Sequence, residues 1–253
     1  GARGYHLMKN ETLPGHINSE SSNFTAEGNE YITDVFTNAA IDFIRNNADN
    51  PFLLYLAYTA PHSPLEGKPD DLKTLFPDVF KKYSDSIIRS SVRPSEVSGY
   101  DWNKYNYAAM VYSIDRGVGK IMKTLKKENL DKNTMIIFTS DNGAQWGSNY
   151  PLTGHKWDVY EGGIRVPFIV WSHKINKENG EKIYDGLVSA ADINPTICSL
   201  TDDSGSDDLD GINIMPLLTG KDSVDKTNMF FYREALMHHQ VSNAEHLYPG
   251  NKD

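Results

Sequence analysis

Residues 134–143, TMIIFTSDNG, decide how this chain is read. An apolar run, Met135 through Phe138, stops at Thr139-Ser140-Asp141-Asn142-Gly143, and the polar, glycine-rich stretch AQWGSNYPLTGHKWDVYEGGIRVP continues to Pro167. A short, continuously apolar run bounded by turn residues suits a strand buried on both faces. In open α/β sheets, ligands bind beyond the carboxyl ends of the strands. The stretch from 139 to 167 is therefore either a long loop or one wall of a site.

Outward from this strand the chain alternates helix and strand. Upstream, Tyr107, Met110, Val111, Ile114, Val118, Ile121, Met122 and Leu125 form one helical stripe, with lysines gathered near its C-terminal end. An earlier helix carries Ile32, Val35, Phe36, Ala39, Ala40, Phe43 and Ile44, and 47-NADNP-51 stops it. The apolar 52-FLLYLAY-58 reads as a strand ending in 59-TAPHSP-64, where two prolines predict an extended path. Downstream, 166-VPFIVW-171 reads as a buried strand and 187-LVSAAD-192 as a weaker one. Asp192 and Pro195 predict a short helix through Leu200. Residues 1–30 read as a polar arm, 66–103 as an irregular excursion with short helices, and 202-DDSGSDDLD-210 as a solvated loop. The alternation predicts an α/β fold with a mainly parallel sheet covered by helices on both faces.

Composition narrows the function classes. The net charge of −9 argues against a nucleic-acid surface, which needs clustered Lys and Arg. No apolar run approaches the roughly 20 residues of a membrane helix. The first residues, GARGYHLMKN, lack the apolar core of a signal peptide and do not begin with Met, so the natural start is expected upstream. The one cysteine, Cys198, excludes an internal disulfide and is expected to be a buried, inert thiol. The sequons Asn10-Glu11-Thr12 and Asn23-Phe24-Thr25 leave the compartment open.

Four residues could carry chemistry. Asp141 and Asn142 offer hard oxygen donors suited to Ca²⁺ or Mg²⁺, although Asp-Asn-Gly is equally good turn chemistry. His62, between two prolines, is a proton donor or an anion contact, or else a surface histidine. Lys156, beside Gly154 and an aromatic, could bind sulfate or phosphate as a point charge, or else is a solvated lysine. Glu161 and Arg165 could pair and fix the turn before 166-VPFIV-170.

Taken in order, the pieces resemble the sulfatase family, of the arylsulfatase type within the alkaline-phosphatase-like superfamily. The matching blocks are 31-YITDVFTNAAIDFI-44, 52-FLLYLAYTAPHSPLE-66, 107-YAAMVYSIDRGVGKIMKTLKKENLDKNTMIIFTSDNGA-144, 149-NYPLTGHKWDVYEGGIRVPFIVW-171, 191-ADINPTICSL-200 and 210-DGINIMPLLTG-220. The resemblance implies a catalytic-domain portion over 31–220, with 221–253 the start of a shortened C-terminal region and the fold incomplete at both ends. It also implies that Asp141 and Asn142 ligate Ca²⁺, and that His62 and Lys156 contact the sulfate, His62 as acid to the leaving oxygen.

The departures from the family pattern are as informative. The family's nucleophile, a formylglycine made from Cys in a Cys-x-Pro-Ser-Arg motif, has no counterpart: Cys198 precedes Ser199-Leu200, and Arg93-Pro94-Ser95 has the wrong order. The N-terminal Asp-Asp metal pair and the Gly-Lys-x-His segment are also missing. The resemblance thus implies a sulfuric ester hydrolase acting on a sulfated small molecule or glycan, secreted, lysosomal or periplasmic, whose nucleophile lies outside these residues. Two alternatives remain: a phosphate or phosphonate ester hydrolase of the same superfamily, which Asn142 disfavours because that group often has His there, and an inactive sulfatase-like binding protein. Oligomeric state is left open.

Overall fold

The computed structural model describes residues 30–81, 100–175, 180, 182–201 and 209–220, so the expectations for the 1–29 arm, the 82–99 excursion, most of the acidic loop and residues 221–253 lie outside the described residues. The chain divides into two compact units. Unit 1 is Gly1–Met135 with Ser172–Lys174, and unit 2 is Ile136–Trp171 with Ile175–Asp253.

Among the described residues, unit 1 is built mainly on α1 (Ile32–Asn46), α2 (Pro69–Leu75) and α3 (Tyr100–Lys127), with α3 packed on both others and residues 77–81 also helical. Asp34 in the first turn and Arg45 in the last complement the dipole of α1. The buried face of α1 runs through Ile32, Thr33, Thr37, Ala40 and Ile44, so two threonines replace the predicted Ala39, which is exposed. Thr37 can be buried because its hydroxyl is satisfied: Thr37 Oγ1 donates to the Thr33 carbonyl at 2.7 Å and lies 2.8 Å from the Tyr58 hydroxyl. On α3 the prediction holds at Met110 and Ile114 and fails at Val111, which is 43% exposed. The stripe is rotated toward Asn106, Ala109 and Ser113, each fully buried. Small residues there let helices approach closely: a β-carbon on Gly117 would stand 2.7 Å from both Thr37 Oγ1 and the Tyr58 hydroxyl. Leu72 and Ala109 anchor the apolar cluster with Leu75, Phe76, Val79, Phe80 and Tyr105, the Phe76 and Tyr105 rings meeting edge to face at 4.9 Å.

An ion network ties the three helices together. Arg116 Nη1 donates to Asp34 Oδ1 at 2.7 Å, and its Nε and Nη2 hold Asp71 at 3.1 and 2.8 Å. Lys68 Nζ reaches Asp34 Oδ2 at 2.7 Å, and Ser113 Oγ donates to Asp71 Oδ2 at 2.5 Å. Burial pushes the Asp34 carboxyl up, but the hydrogen bonds from Arg116 and Lys68 outweigh it and hold the carboxyl below its usual range.

The 52–58 segment corrects the predicted strand in part. Burial alternates with the two-residue period of an extended chain: Phe52, Leu54, Leu56 and Tyr58 are half-buried, while Leu53 (69%) and Tyr55 (90%) face outward. Phe52 meets Phe43 of α1 edge to face at 5.8 Å. The segment pairs with no strand among the described residues, so its period is that of a strand and its ladder is lacking.

In unit 2, strands β1 (Met135–Thr139) and β2 (Phe168–Ser172), each with one end residue in unit 1, form a two-stranded sheet. Both were expected. The larger, mainly parallel, helix-covered sheet is not contained in the described residues, and 187–189 is not a strand: Ala190–Asp192 form a turn of 3₁₀ helix there. The reason is Asp192, which is fully buried and draws the chain into a turn. Its carboxylate accepts the Ser189 N–H at 2.7 Å and the Ile212 N–H at 2.9 Å. A one-turn helix, α4, covers Glu161–Ile164, and the short helix expected after Asp192 is present as α5 (Ile193–Cys198). Cys198 on α5 is half-exposed rather than buried, with its thiol 3.6 Å from Asn194 Oδ1. A last turn, α6, covers Met215–Leu218.

Candidate active site

The four expected site residues fall in both units: His62 in unit 1, and Asp141, Asn142 and Lys156 in unit 2.

His62 sits in a turn, not in the extended path predicted from its prolines. Its N–H bonds to the Thr59 carbonyl at 3.0 Å, closing the loop, and the Ala60–Pro61 and Ser63–Pro64 bonds are both cis. The ring is exposed, and Nδ1 lies 2.7 Å from the Ser63 carbonyl. A carbonyl only accepts, so Nδ1 carries the proton and Nε2 is left as the outward-facing nitrogen. That fixes which atom could exchange a proton with a bound group.

In unit 2 the end of β1 passes directly into Asp141 and Asn142. Asp141 is exposed and Asn142 half-buried, and Ser140 Oγ lies 3.3 Å from both Asp141 Oδ1 and the Asn142 carbonyl. From Gly143 to Gly163 the chain forms a loop closed on itself by backbone. Gly143 N–H donates to the Gly163 carbonyl at 2.8 Å, Gly162 N–H to Thr153 at 2.7 Å, and Lys156 N–H to Ala144 at 3.3 Å. The glycines are required by this seam: a β-carbon on Gly143 would overlap the Gly162 carbonyl, one on Gly162 the Gly154 carbonyl, and one on Gly163 the Asp158 carbonyl. The acid–amide turn and the lysine loop are thereby joined into one piece.

Two residues that sequence reasoning missed stabilise this loop. Asn149 Nδ2 donates to the Ala144 and Gly154 carbonyls at 2.9 and 3.0 Å, and Asp158 Oδ2 accepts the His155 N–H at 2.9 Å. Asn and Asp bonding to nearby backbone is ordinary turn chemistry, and a Pro- and Gly-rich loop is where to look for it. The Glu161–Arg165 pair does form across α4, at 3.5 Å, but both side chains are more than 60% exposed. Such a pair contributes less than about 1 kcal/mol. The turn is set by the glycine seam instead.

Lys156 is half-buried, and among the described residues no carboxylate lies within ion-pairing distance of it. Its ammonium instead lies 5.4 Å from the centroid of the Trp157 ring. Its charge is therefore available to an anion. The same loop holds a buried indole N–H, that of Trp146, with no acceptor among the described residues.

The donor chemistry of Asp141 and Asn142 fits a hard divalent cation. Their number covers only part of a shell, since Ca²⁺ takes about 6–8 oxygens. Among the described residues no group of three or more His, Cys, Asp or Glu could hold a metal. Asp141, Asn142 and Lys156 thus lie on or directly beside one loop closed by backbone hydrogen bonds.

Comparison with known proteins identifies the family. The family model named Sulfatase matches residues 2–203. The chain is 36% identical over 200 residues to the uncharacterized sulfatase YdeN of Escherichia coli (strain K12), covering 76% of this chain and 31% of that protein. It is 30% identical over 220 residues to the N-acetylgalactosamine-6-sulfatase of Canis lupus familiaris, covering 83% of this chain and 36% of that protein. The crystal structure of Ps i-CgsB in complex with k-i-k-neocarrahexaose superposes with a TM-score of 0.62 at 35% identity, over 76% of this chain and 39% of that one. The chain belongs to the sulfatase family of the alkaline-phosphatase-like superfamily. It spans about a third of the length of the two curated relatives. No helix among the described residues is long and apolar enough to cross a membrane.

Proposed function

We propose that this chain is part of a sulfuric ester hydrolase and supplies its half of the sulfate-binding wall. The observation that carries the reading is the backbone seam of unit 2, which puts Lys156 N–H on the Ala144 carbonyl and Gly143 N–H on the Gly163 carbonyl. The seam joins the backbone of Lys156 to the backbone that follows Asp141 and Asn142. In this reading Lys156 binds a sulfuryl oxygen and offsets the charge that grows there in the transition state. His62, with its Nδ1–H committed to the Ser63 carbonyl, would act as the imidazolium and deliver the proton on Nε2 to the departing alcohol oxygen, leaving the neutral Nδ1–H ring. Asp141 and Asn142 would hold Ca²⁺, which when bound supplies Lewis acidity to the ester. The nucleophile, a formylglycine, comes from outside these residues, since no Cys-x-Pro-Ser-Arg motif occurs among them. The substrate is a sulfated small molecule or glycan, and the secreted, lysosomal or periplasmic address belongs to the same proposal. Asn142, an amide where a histidine would favour Zn²⁺, supports a sulfate over a phosphate ester.

The test uses the 253-residue chain. Titration with inorganic sulfate, monitored by amide shifts in the 153–163 loop, is expected to show saturable binding that Lys156→Ala weakens roughly tenfold. Hydrolysis of 4-nitrophenyl sulfate is expected to stay at the level of the Lys156→Ala control. Sulfate binding indifferent to Lys156→Ala, or turnover well above that control, would refute the reading.

A further inference from the structure

Beside Lys156 stands an exposed tryptophan with an unusual backbone conformation. Trp157 has φ +84°, in the left-handed region that a bulky β-carbon residue avoids. The surrounding turn imposes it: Gly154 lies at φ +94°, Asp158 N–H bonds the His155 carbonyl at 2.9 Å, and Lys156 N–H bonds Ala144. Glycine would satisfy that turn without strain. The side chain at this costly position is instead the largest available, and the residue is 55% exposed. It does not fill a core. Tyr150 (89%), Val159 (48%) and Tyr160 (63%) are exposed on the same loop.

We propose that Trp157 is a specificity-determining residue: its indole is a stacking platform for the pyranose ring that carries the sulfate. The inference rests on the sulfatase reading of Lys156. Lys156 Nζ lies 5.4 Å from the indole centroid, so the cation that would take the sulfate and the aromatic face that would take the attached ring are adjacent on one turn. The indole face is electron-rich and meets the electropositive C–H face of a pyranose, while the ring hydroxyls point to the rim. Polar residues lie close in sequence: Thr153 and Tyr160 are exposed, and Asp158 follows directly. Rigidity favours it too, because Gly162 and Gly163 are packed against the backbone of Thr153, Gly154, His155 and Asp158, which leaves the turn bearing Trp157 little freedom.

The experiment tracks the indole N–H resonances of the ¹⁵N-labelled 253-residue chain, that of Trp157 being assigned by its loss in Trp157→Phe. The probes are N-acetylglucosamine 6-sulfate, inorganic sulfate and the acyclic n-hexyl sulfate. The sugar sulfate is expected to shift the Trp157 resonance and to bind more tightly than inorganic sulfate. Trp157→Ala is expected to weaken the sugar sulfate by about fivefold to tenfold and to leave inorganic sulfate within about twofold. Trp157→Phe, which keeps an aromatic face, is expected to restore most of the loss. Equal weakening of both sulfates in Trp157→Ala would overturn the platform, because it marks a structural role. So would n-hexyl sulfate binding as tightly as the sugar. If instead Lys156→Ala leaves inorganic sulfate binding unchanged, the sulfate site itself fails, and the platform falls with it.

Discussion

Replacing Arg116 with alanine tests whether the ion network holds unit 1 together. The guanidinium makes two bonds to Asp71 and one to Asp34, at 2.7–3.1 Å. Without it, Asp34 keeps Lys68 at 2.7 Å, whereas Asp71, 4% exposed, is left with the neutral hydroxyl of Ser113. Breaking a buried ion pair by removing one member costs about 3–5 kcal/mol, mostly for the stranded charge. Arg116 is itself 23% exposed at the side chain, so water can reach the vacated space and the low end applies, about 3 kcal/mol. Native-state hydrogen exchange of the α1 and α3 amides reads this directly. Those amides are expected to exchange roughly a hundredfold faster in Arg116→Ala. The double variant Asp71→Asn, Arg116→Met removes both charges and is expected to recover more than half of the loss. Acceleration below about fivefold, or a double variant as unstable as the sum of its singles, would refute the reasoning.

The acid limb of stability should carry the mark of Asp34. Its folded pKa is depressed, so its contribution is present above the ordinary aspartate value near 3.9 and is lost as pH falls through the folded value. Acid unfolding of wild type is expected to be steeper below about pH 4 than that of Asp34→Asn. The alkaline limb belongs to Tyr31, pushed up mainly by burial, and to Tyr58, pushed up by the same cause. A raised tyrosine pKa means stability intact below about pH 10 and falling above it, and Tyr58→Phe is expected to flatten that fall in urea titrations at high pH. Gly143→Ala must displace the Gly162 carbonyl and costs the seam its 2.8 Å bond; about 2–4 kcal/mol of local stability is expected to vanish, read as lost amide protection across 143–163 with α1 unaffected.

Several parts of the structure were legible because they rest on local pattern. The runs 134–138 and 166–171 were apolar enough to be strands, and Asp192 with Pro195 marked a helix start. The errors came from long-range partners that periodicity does not encode. Thr33, Thr37, Asn106 and Ser113 are buried at positions where a hydrophobic count would place Val111 or Ala39, and Thr37, Asn106 and Ser113 have specific polar partners in other elements or in the preceding turn. The 187–192 run fails as a strand because one buried carboxylate collects two N–H groups, one of them twenty residues away. In the candidate site, Asp141, Asn142 and Lys156 were singled out from their chemistry and the family resemblance, and their roles are proposals. Asn149 was not, because its task is to hold carbonyls and its residue type reads as ordinary loop. Trp157 was not, because an aromatic beside a glycine-rich turn is as often core as surface; only its exposure and its backbone angle distinguish the two.

The seam through Gly143, Gly162 and Gly163 contains no ionisable group. Its bonds run between peptide units, and the charged pair Glu161 with Arg165 beside it is exposed and carries little weight. Ionic strength therefore acts unequally on the two units. Added salt screens exposed charge and leaves peptide hydrogen bonds largely alone. The helices of unit 1 lean on a network that is partly open to that screening, while the loop bearing Lys156 is closed mainly by peptide hydrogen bonds, with one further bond from the His155 N–H to the Asp158 carboxylate. If Lys156 holds sulfate as proposed, what salt changes at that loop is competition, because an added anion meets the same ammonium.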